Sequence, residues 1–357
     1  MKAVVLAGGK GEGLYPVTQG VQKEAVEVCG KPIVMYSVSG LYDAGIREFI
    51  VVINERDDII NAIRESNVEA DFEFVRQRQG GITGAINTGL DYVDDEYILV
   101  FGDIIAENSF YTSLLNAHQG GEPTFALVPV SRGLNTYGLA KVEGGKFVGL
   151  TERESTLALG GAYILRKEKF DDFSLYLRRA VGNYFVWSGL WFDIGYPEDL
   201  LRSIRGLLSD AKTTISRRAK VASTAIIDKG VFIDDGAVID EYAVIRGPAY
   251  IGKNSYVGNF SLVRNFSCVE RNSSIGAYVE ISNSSIQEGV EIGSKSYINH
   301  SIIGKKARIG ASVVTASYPA TLIRGEENKL GALIAPLARV EHGKVLPPNS
   351  IISERES

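Results

Sequence analysis

The chain has 357 residues, of which 45% are hydrophobic and 23% charged, with a formal net charge of −5. That length exceeds the size at which one hydrophobic core stops growing, so a single domain is excluded in favour of two. The mild acidity excludes binding of nucleic acid through bulk charge, and the composition excludes a disordered chain. No apolar run reaches the roughly 18 residues of a membrane span, and the N-terminal run is too short for a secretory signal, so a cytoplasmic protein without membrane partners is expected. Cys29 and Cys268 lie far apart without paired spacing, which predicts two small core residues rather than a disulfide or a zinc site.

The first two hundred residues alternate short apolar runs with helix-period stretches. Val4 to Leu6 reads as a strand, and Pro32 to about Ala44 as a helix opened by proline. Phe49 to Ile53 is the next strand, followed by a helix from about Asp57 to Glu65 and a strand at Phe72 to Val75. A helix from about Gly84 to Tyr92 and a strand at Tyr97 to Phe101 continue the series. Such repetition predicts an α/β fold with a Rossmann-like, doubly wound and mostly parallel sheet.

Beyond Lys220 the period becomes six. Val221, Ile227, Ile233, Ile239, Ile245, Ile251, Val257, Val263, Val269, Ile275 and Ile281 recur at this spacing, each followed four positions later by a small or β-branched residue. Neither a helix nor ordinary strand alternation has that period. It is the hexapeptide repeat of a parallel β-helix, in which aliphatic side chains fill a narrow prism and small ones fit its corners. The register slips by one at Ile286 and again at Ile303, and Tyr318 to Lys329 reads as an excursion loop. The expected domains are 1–207 and a left-handed β-helix over 218–353. Tyr242, Tyr250, Tyr256, Phe260, Phe266 and Tyr278 fall on outward positions. So much aromatic surface predicts a homo-oligomer, most simply a trimer, built through the β-helix; the alternative is that these rings pack on the chain's own first domain or on the excursion.

The chemistry is carried by the first domain. Leu6-Ala7-Gly8-Gly9-Lys10-Gly11 follows the first strand directly, a position where glycines let backbone amides approach phosphates. Leu14-Tyr15-Pro16-Val17-Thr18, then Lys23, then Gly30-Lys31-Pro32 continue in the order and spacing of a known signature. Phe101-Gly102-Asp103 closes a predicted strand, and Trp191-Phe192-Asp193-Ile194-Gly195 precedes a helix. On these motifs the chain resembles the sugar-phosphate nucleotidyltransferases, in particular two-domain archaeal forms with a β-helix, similar to glucose-1-phosphate thymidylyltransferases and N-acetylglucosamine-1-phosphate uridylyltransferases.

The resemblance implies formation of an NDP-sugar and pyrophosphate from a nucleoside triphosphate and a sugar 1-phosphate. It implies Mg²⁺ held by Asp103 and Asp193, with Lys23 as the catalytic cation. Leu6, Ala7, Gly8, Gly9, Gly11, Gln77 and Gly81 would hold the nucleotide, Gln77 only if the following loop is one residue shorter than in the family; otherwise Arg76 takes its slot. Gly138, Glu152, Arg153 and Gly161 would hold the sugar. Hard oxygen ligands and a cation suit the meeting of two phosphorylated substrates. The family's Thr-Arg in the phosphate loop is Glu12-Gly13 here, its sugar-pocket asparagine is Leu159, and the place of an acetyltransferase histidine in the β-helix holds Ser294, with His300 nearby. These departures keep a second reading open, a catalytically impaired regulatory or scaffold subunit. On the sequence alone, Glu12→Thr with Gly13→Arg is expected to restore the family's phosphate clamp.

Overall fold

In the computed structural model, the described residues are 1–131, 136–152, 155–319, 321–323 and 326–353. The backbone divides into two compact units: Met1–Lys10 with Pro32–Asp193, and Gly11–Lys31 with Ile194–Ser357.

The first unit begins with β1 (Lys2–Ala7); after the excursion of the chain through β2 (Glu27–Val28) it resumes near β3 (Lys31–Pro32) and α1 (Ile33–Asp43). Next come β4 (Glu48–Ile53), α2 (Asp58–Arg64), β5 (Asp71–Arg76), α3 (Gly81–Leu90) and β6 (Glu96–Phe101). The strands stand in the order β6-β1-β4-β5, all parallel, with Leu6 opposite both Val52 and Phe101. Their near-continuous apolar runs follow from burial on both faces: Val4 and Leu99 on one face, and Val5 and Val51 on the other, are all closed to solvent. The predicted helix at Gly84 starts earlier, at Gly81, because the Gly80–Gly81 pair opens it.

The second half of this unit turns the sheet antiparallel, which the mostly parallel expectation does not include. A short ribbon strand β7 (Ile104–Ala106) and α4 (Asn108–Ala117) lead to β8 (Thr124–Pro129), β9 (Leu139–Glu143), β10 (Lys146–Thr151) and β11 (Leu157–Arg166). Strand β11 runs antiparallel to both β6 and β8. After α5 (Phe173–Arg179), β12 (Asn183–Val186) adds to β8, and β13 (Trp191–Asp193) pairs back onto β7.

The second unit holds α6 (Pro197–Leu208) and the β-helix. Its three parallel sheets repeat once per turn, Lys220 beside Val238, Val238 beside Tyr256 and Tyr256 beside Ser274, the step that three hexads per turn require. The next two coils, Val269 to Ile286 and Ile286 to Ile303, are each one residue shorter, in agreement with the two register slips in the sequence. Ile303 then pairs with Ile334, so one much longer coil carries the excursion, which contains an antiparallel pair, Thr321–Ile323 with Glu326–Asn328.

The interior is a stack of aliphatic side chains, Ile233, Ile251, Val269, Ile286, Ile303 and Ile334 along one face, closed to solvent. Each such side chain contributes about 1.5–3 kcal/mol by leaving water. Buried serines at the corners stitch coil to coil: the hydroxyl of Ser255 donates to the carbonyl of Glu270 (2.8 Å), and that of Ser261 to Gly276 (2.8 Å). Outside, Tyr242, Phe260 and Tyr278 stack with centroids 5.0 Å apart and stay about half exposed. Tyr250 departs from the expected exposed set: it is buried, its hydroxyl donating to Asp234 (3.0 Å) and lying against Gly30 of the 11–31 segment.

Because each coil touches only its neighbours, a void in the prism cannot be filled from elsewhere. Ile275→Ala is expected to cost about 3 kcal/mol and Ile275→Val about 1 kcal/mol of unfolding free energy. Urea titration of the β-helix transition checks this; equal losses for both variants would contradict a close-packed prism.

Candidate functional site

Two acidic residues are brought together by strand pairing. Gly102 donates its amide to the carbonyl of Leu6 (2.8 Å), so the chain leaves β6 beside the end of β1. Asp103 follows at once, and β7 then runs antiparallel to β13 with Ile104 opposite Asp193. The two aspartates therefore stand one residue out of register at the same end of a ribbon. Burial pushes the hydroxyl of Tyr163 far above the usual tyrosine range, and the charges of Asp193 and Asp103 push it further, which places both carboxylates near one ring. Two hard carboxylates at the carboxyl end of a parallel sheet form a donor set suited to a divalent cation. Among the described residues no group of three or more His, Cys, Asp or Glu side chains that could hold a metal stands together.

The loop after β1 faces the loop after β5. Gln77 extends the β4–β5 register by donating its amide to Ile53 (2.8 Å), and its side-chain amide donates to the carbonyls of Gln79 (2.5 Å) and Gly81 (2.8 Å). A Cβ at Gly8 would come within 2.8 Å of Gln77 Oε1. Leu6, Ala7, Gly8 and Gly9 thus lead into a loop lined by Gln77 and Gly81. Arg76 turns the other way, onto Asp57 (2.7 Å) and the carbonyl of Asn54 (2.8 Å).

In the second unit, residues Gly11–Lys31 form a strap of tight turns. Gly11 adopts a left-handed conformation (φ 66°), its carbonyl accepts from the Thr18 hydroxyl (2.8 Å), and Lys23 packs beside it. Lys23, partly exposed, opens a single 3-10 turn. Gly13 is the informative departure. A Cβ there would lie 2.3 Å from the carbonyl oxygen of Gly195, a backbone atom that cannot swing away. The arginine of the related motif does not fit this backbone, which corrects the expectation that Gly13→Arg rebuilds a phosphate clamp.

On the other side of the first unit, β11 loses register with β8 between Leu159 and Tyr163. Gly161 sits in this irregularity with φ 72°, and Trp191 donates its indole N–H to the carbonyl of Gly160 (3.0 Å). The rings of Trp191 and Tyr137 lie 6.0 Å apart, and the Gly138 carbonyl accepts from Leu159 (3.0 Å). Gly138, Gly161 and these two rings therefore form one wall. Trp191 carries no role in the sequence reading, although strand alternation puts it on the same face of β13 as Asp193. Glu152 stands one residue beyond the Thr151–Leu139 pair, close to Gly138 in register, but its exposed carboxylate turns to Arg178 (3.4 Å). Leu159 packs against the core of the unit. Arg153 lies outside the described residues.

His300, in the β-helix, occupies a left-handed corner (φ 48°), with Nδ1 2.7 Å from Asn299 Oδ1. Burial, aided by the charges of Arg205, Lys329 and Arg264, pushes its pKa down to about 4. That weakens it as a proton acceptor and agrees with its being out of place for acyl transfer.

Comparison with known proteins returns two family matches. Residues 2–210 match the nucleotidyl transferase family and residues 245–354 the GMPPB C-terminal domain. The bifunctional protein GlmU of Methanococcus maripaludis is 28% identical over 258 residues, 64% of this chain and 61% of that protein. The low-salt glycan biosynthesis nucleotidyltransferase Agl11 of Haloferax volcanii is 28% identical over 258 residues, covering 64% of this chain and 71% of the relative. This chain thus spans about three fifths to seven tenths of the length of these relatives. A crystal structure from Bacillus anthracis, of a candidate glucose-1-phosphate thymidylyltransferase with sucrose, superposes with a TM-score of 0.53 at 23% identity, over 60% of this chain and 97% of that one, and shows the shared fold.

The contact between Gly13 and Gly195 generates a direct test. Gly13→Arg, alone or with Glu12→Thr, is expected to destabilise the fold by about 1–3 kcal/mol rather than improve triphosphate binding. Thermal unfolding and nucleotide titration of the variants check it, and tighter binding at unchanged stability would show that the loop relaxes freely.

Proposed function

Because the chain belongs to the nucleotidyl transferase family, we propose that it joins a nucleoside triphosphate to a sugar 1-phosphate, forming an NDP-sugar and pyrophosphate. The observation that carries this reading is the β7–β13 ribbon, which sets Asp103 and Asp193 side by side at the end of β1. In the proposed step a phosphate oxygen of the sugar 1-phosphate attacks the α-phosphorus. The new oxygen–phosphorus bond forms as the α–β bridge breaks, and pyrophosphate leaves with the electron pair.

Asp103 and Asp193 would hold Mg²⁺, which when bound neutralises the crowded phosphate oxygens. Lys23 would set a positive charge on the triphosphate. Backbone amides around Leu6, Ala7, Gly8, Gly9 and Gly11 would cradle it, with Gln77 and Gly81 beside the base. Gly138 and Gly161 would pack against the sugar, and Glu152 and Arg153 would meet its hydroxyls, Glu152 after leaving Arg178. Such substrates would place the protein in the cytoplasm; no described helix is long and apolar enough to cross a membrane. The second reading, an impaired regulatory or scaffold subunit, is favoured by the room denied to an arginine at Gly13 and by Leu159, which packs against the core.

Pyrophosphate release, assayed over the nucleoside triphosphates and common sugar 1-phosphates with Mg²⁺, distinguishes the two. Release from at least one pair is expected, falling on the order of a hundredfold or more in Asp103→Asn, Asp193→Asn or Lys23→Ala with the fold unchanged. No release from any pair supports the subunit reading, and full activity in both aspartate variants overturns the metal assignment.

We also propose that the β-helix assembles copies of the chain, most simply as a trimer, with the half-exposed ladder Tyr242–Phe260–Tyr278 as part of the contact. Light scattering at micromolar concentration is expected to give a multiple of the 38.7 kDa chain; a monomer refutes it.

A further inference from the structure

The chain has two cysteines, 239 positions apart, and the fold of the second unit brings their sulfur atoms to 2.7 Å. Cys268 lies on the strand Ser267–Val269. Val269 points into the prism, so strand alternation turns Cys268 outward, to the face that the 11–31 strap covers. Cys29 sits in the strap, at the turn between β2 and β3, in a left-handed conformation (φ 51°). Its position is fixed by Glu270, two residues beyond Cys268. One carboxylate oxygen of Glu270 accepts from the amide of Cys29 (2.8 Å) and the other from the amide of Gly30 (2.7 Å). Tyr250 closes the opposite side of the turn against Gly30. Both sulfur-bearing backbones are thus held by contacts that do not involve sulfur.

We propose that Cys29 and Cys268 form a reversible dithiol–disulfide pair that locks the strap onto the β-helix. The geometry supplies an order of events. Cys29 is the less buried of the two residues, so a small-molecule disulfide that reaches the pair meets Cys29 first. The Cys29 thiolate attacks one sulfur of that oxidant, and the first thiol leaves, taking up the proton that Cys29 lost. Cys268, after losing its own proton, attacks the Cys29 sulfur of the mixed disulfide and expels the second thiol. Two protein thiols are oxidised and one external disulfide is reduced to two thiols. Burial holds both protein thiols above the ordinary cysteine range, so exchange is slow at neutral pH and faster in alkaline buffer.

The bond would close a loop spanning most of the chain, the arrangement in which a crosslink most restricts the unfolded state. It lies six positions beyond Lys23, so it would fix the base of the segment that carries that lysine. The inference rests on the geometry of the second unit and holds whatever the protein's reaction.

The test uses the full-length protein. Incubation with oxidised dithiothreitol or oxidised glutathione at about pH 8.5 is followed by alkylation in denaturant, intact-mass measurement and non-reducing peptide mapping. Loss of both alkylatable thiols, a peptide linking Cys29 to Cys268 within one chain, and a rise in Tm of about 5–10 °C that dithiothreitol reverses are expected. Cys29→Ser, a mild change at a partly exposed position, should keep one thiol and show no redox-dependent shift. Two free thiols after prolonged oxidation, or a disulfide between chains in place of the internal one, overturns the proposal.

Discussion

A buried carboxylate organises the second unit. Glu270 is closed to solvent, and it receives the amides of Cys29 and Gly30. Around it Glu27 pairs with Arg271 (2.8 Å), Arg271 reaches Glu288 (3.4 Å), and Lys305 reaches Glu288 (2.7 Å). Gln287 completes the contact by accepting from the amide of Glu27 and donating to its carbonyl. Burying charge is costly unless each group finds partners, and this network supplies them from both sides. Burial still pushes Glu27 up to about 7, with Glu288 adding to the rise and Arg271 and Lys305 opposing it. The strap has little regular structure of its own, only two 3-10 turns, the short strand β2 and the first residue of its partner β3. Its conformation, and with it the placing of Gly11, Gly13 and Lys23, is therefore set by what it packs on.

The β-helix can serve as that support because its own order is nearly one-dimensional. Each aliphatic layer rests on the next, and the serine ladder satisfies corner amides and carbonyls that would otherwise be buried without partners. The repeat also tolerates local exceptions where hydrogen bonding is complete. Thr315 takes an interior position, and its hydroxyl is met by the Ser301 hydroxyl (2.9 Å) and the Asn299 amide (2.8 Å). Coil length can change as well, shortening by one between Ile286 and Ile303 and lengthening greatly between Ile303 and Ile334, because only the register of the inward residues must be recovered.

Period made the larger architecture legible. Eleven hexads in succession leave one geometry, and the alternation of the first two hundred residues leaves few others. What the sequence could not show are contacts without a local signal. Strands β7 and β13 are too short for periodicity to register, yet their pairing joins Asp103 to Asp193. Tyr250 occupies an outward strand position that solvent would normally reach, and no residue near it announces the cover. Cys29 and Cys268 look unrelated because nothing in so wide a spacing encodes proximity. Gly13 reads as a missing arginine, whereas the space that arginine needs is filled by the carbonyl of Gly195.

That last point bears on how the departures from the family pattern are weighed. If Gly13 were a recent loss in an otherwise unchanged loop, the cavity of the absent side chain would remain beside it. Instead the backbone of Ile194–Gly195–Tyr196 closes on it, and Asp199 holds that turn through the amide of Tyr196 (2.9 Å). The loop around Gly13 is therefore built around glycine. Arg76 is engaged by Asp57 (2.7 Å). Under the proposed reaction, charge stabilisation then falls to Lys23, the aspartate-bound cation and the backbone amides of the glycine loop. One such electrostatic contact is worth on the order of a hundredfold in rate. Under that same proposal, losing one such contact while the others remain predicts a slower enzyme, whereas the subunit reading predicts none.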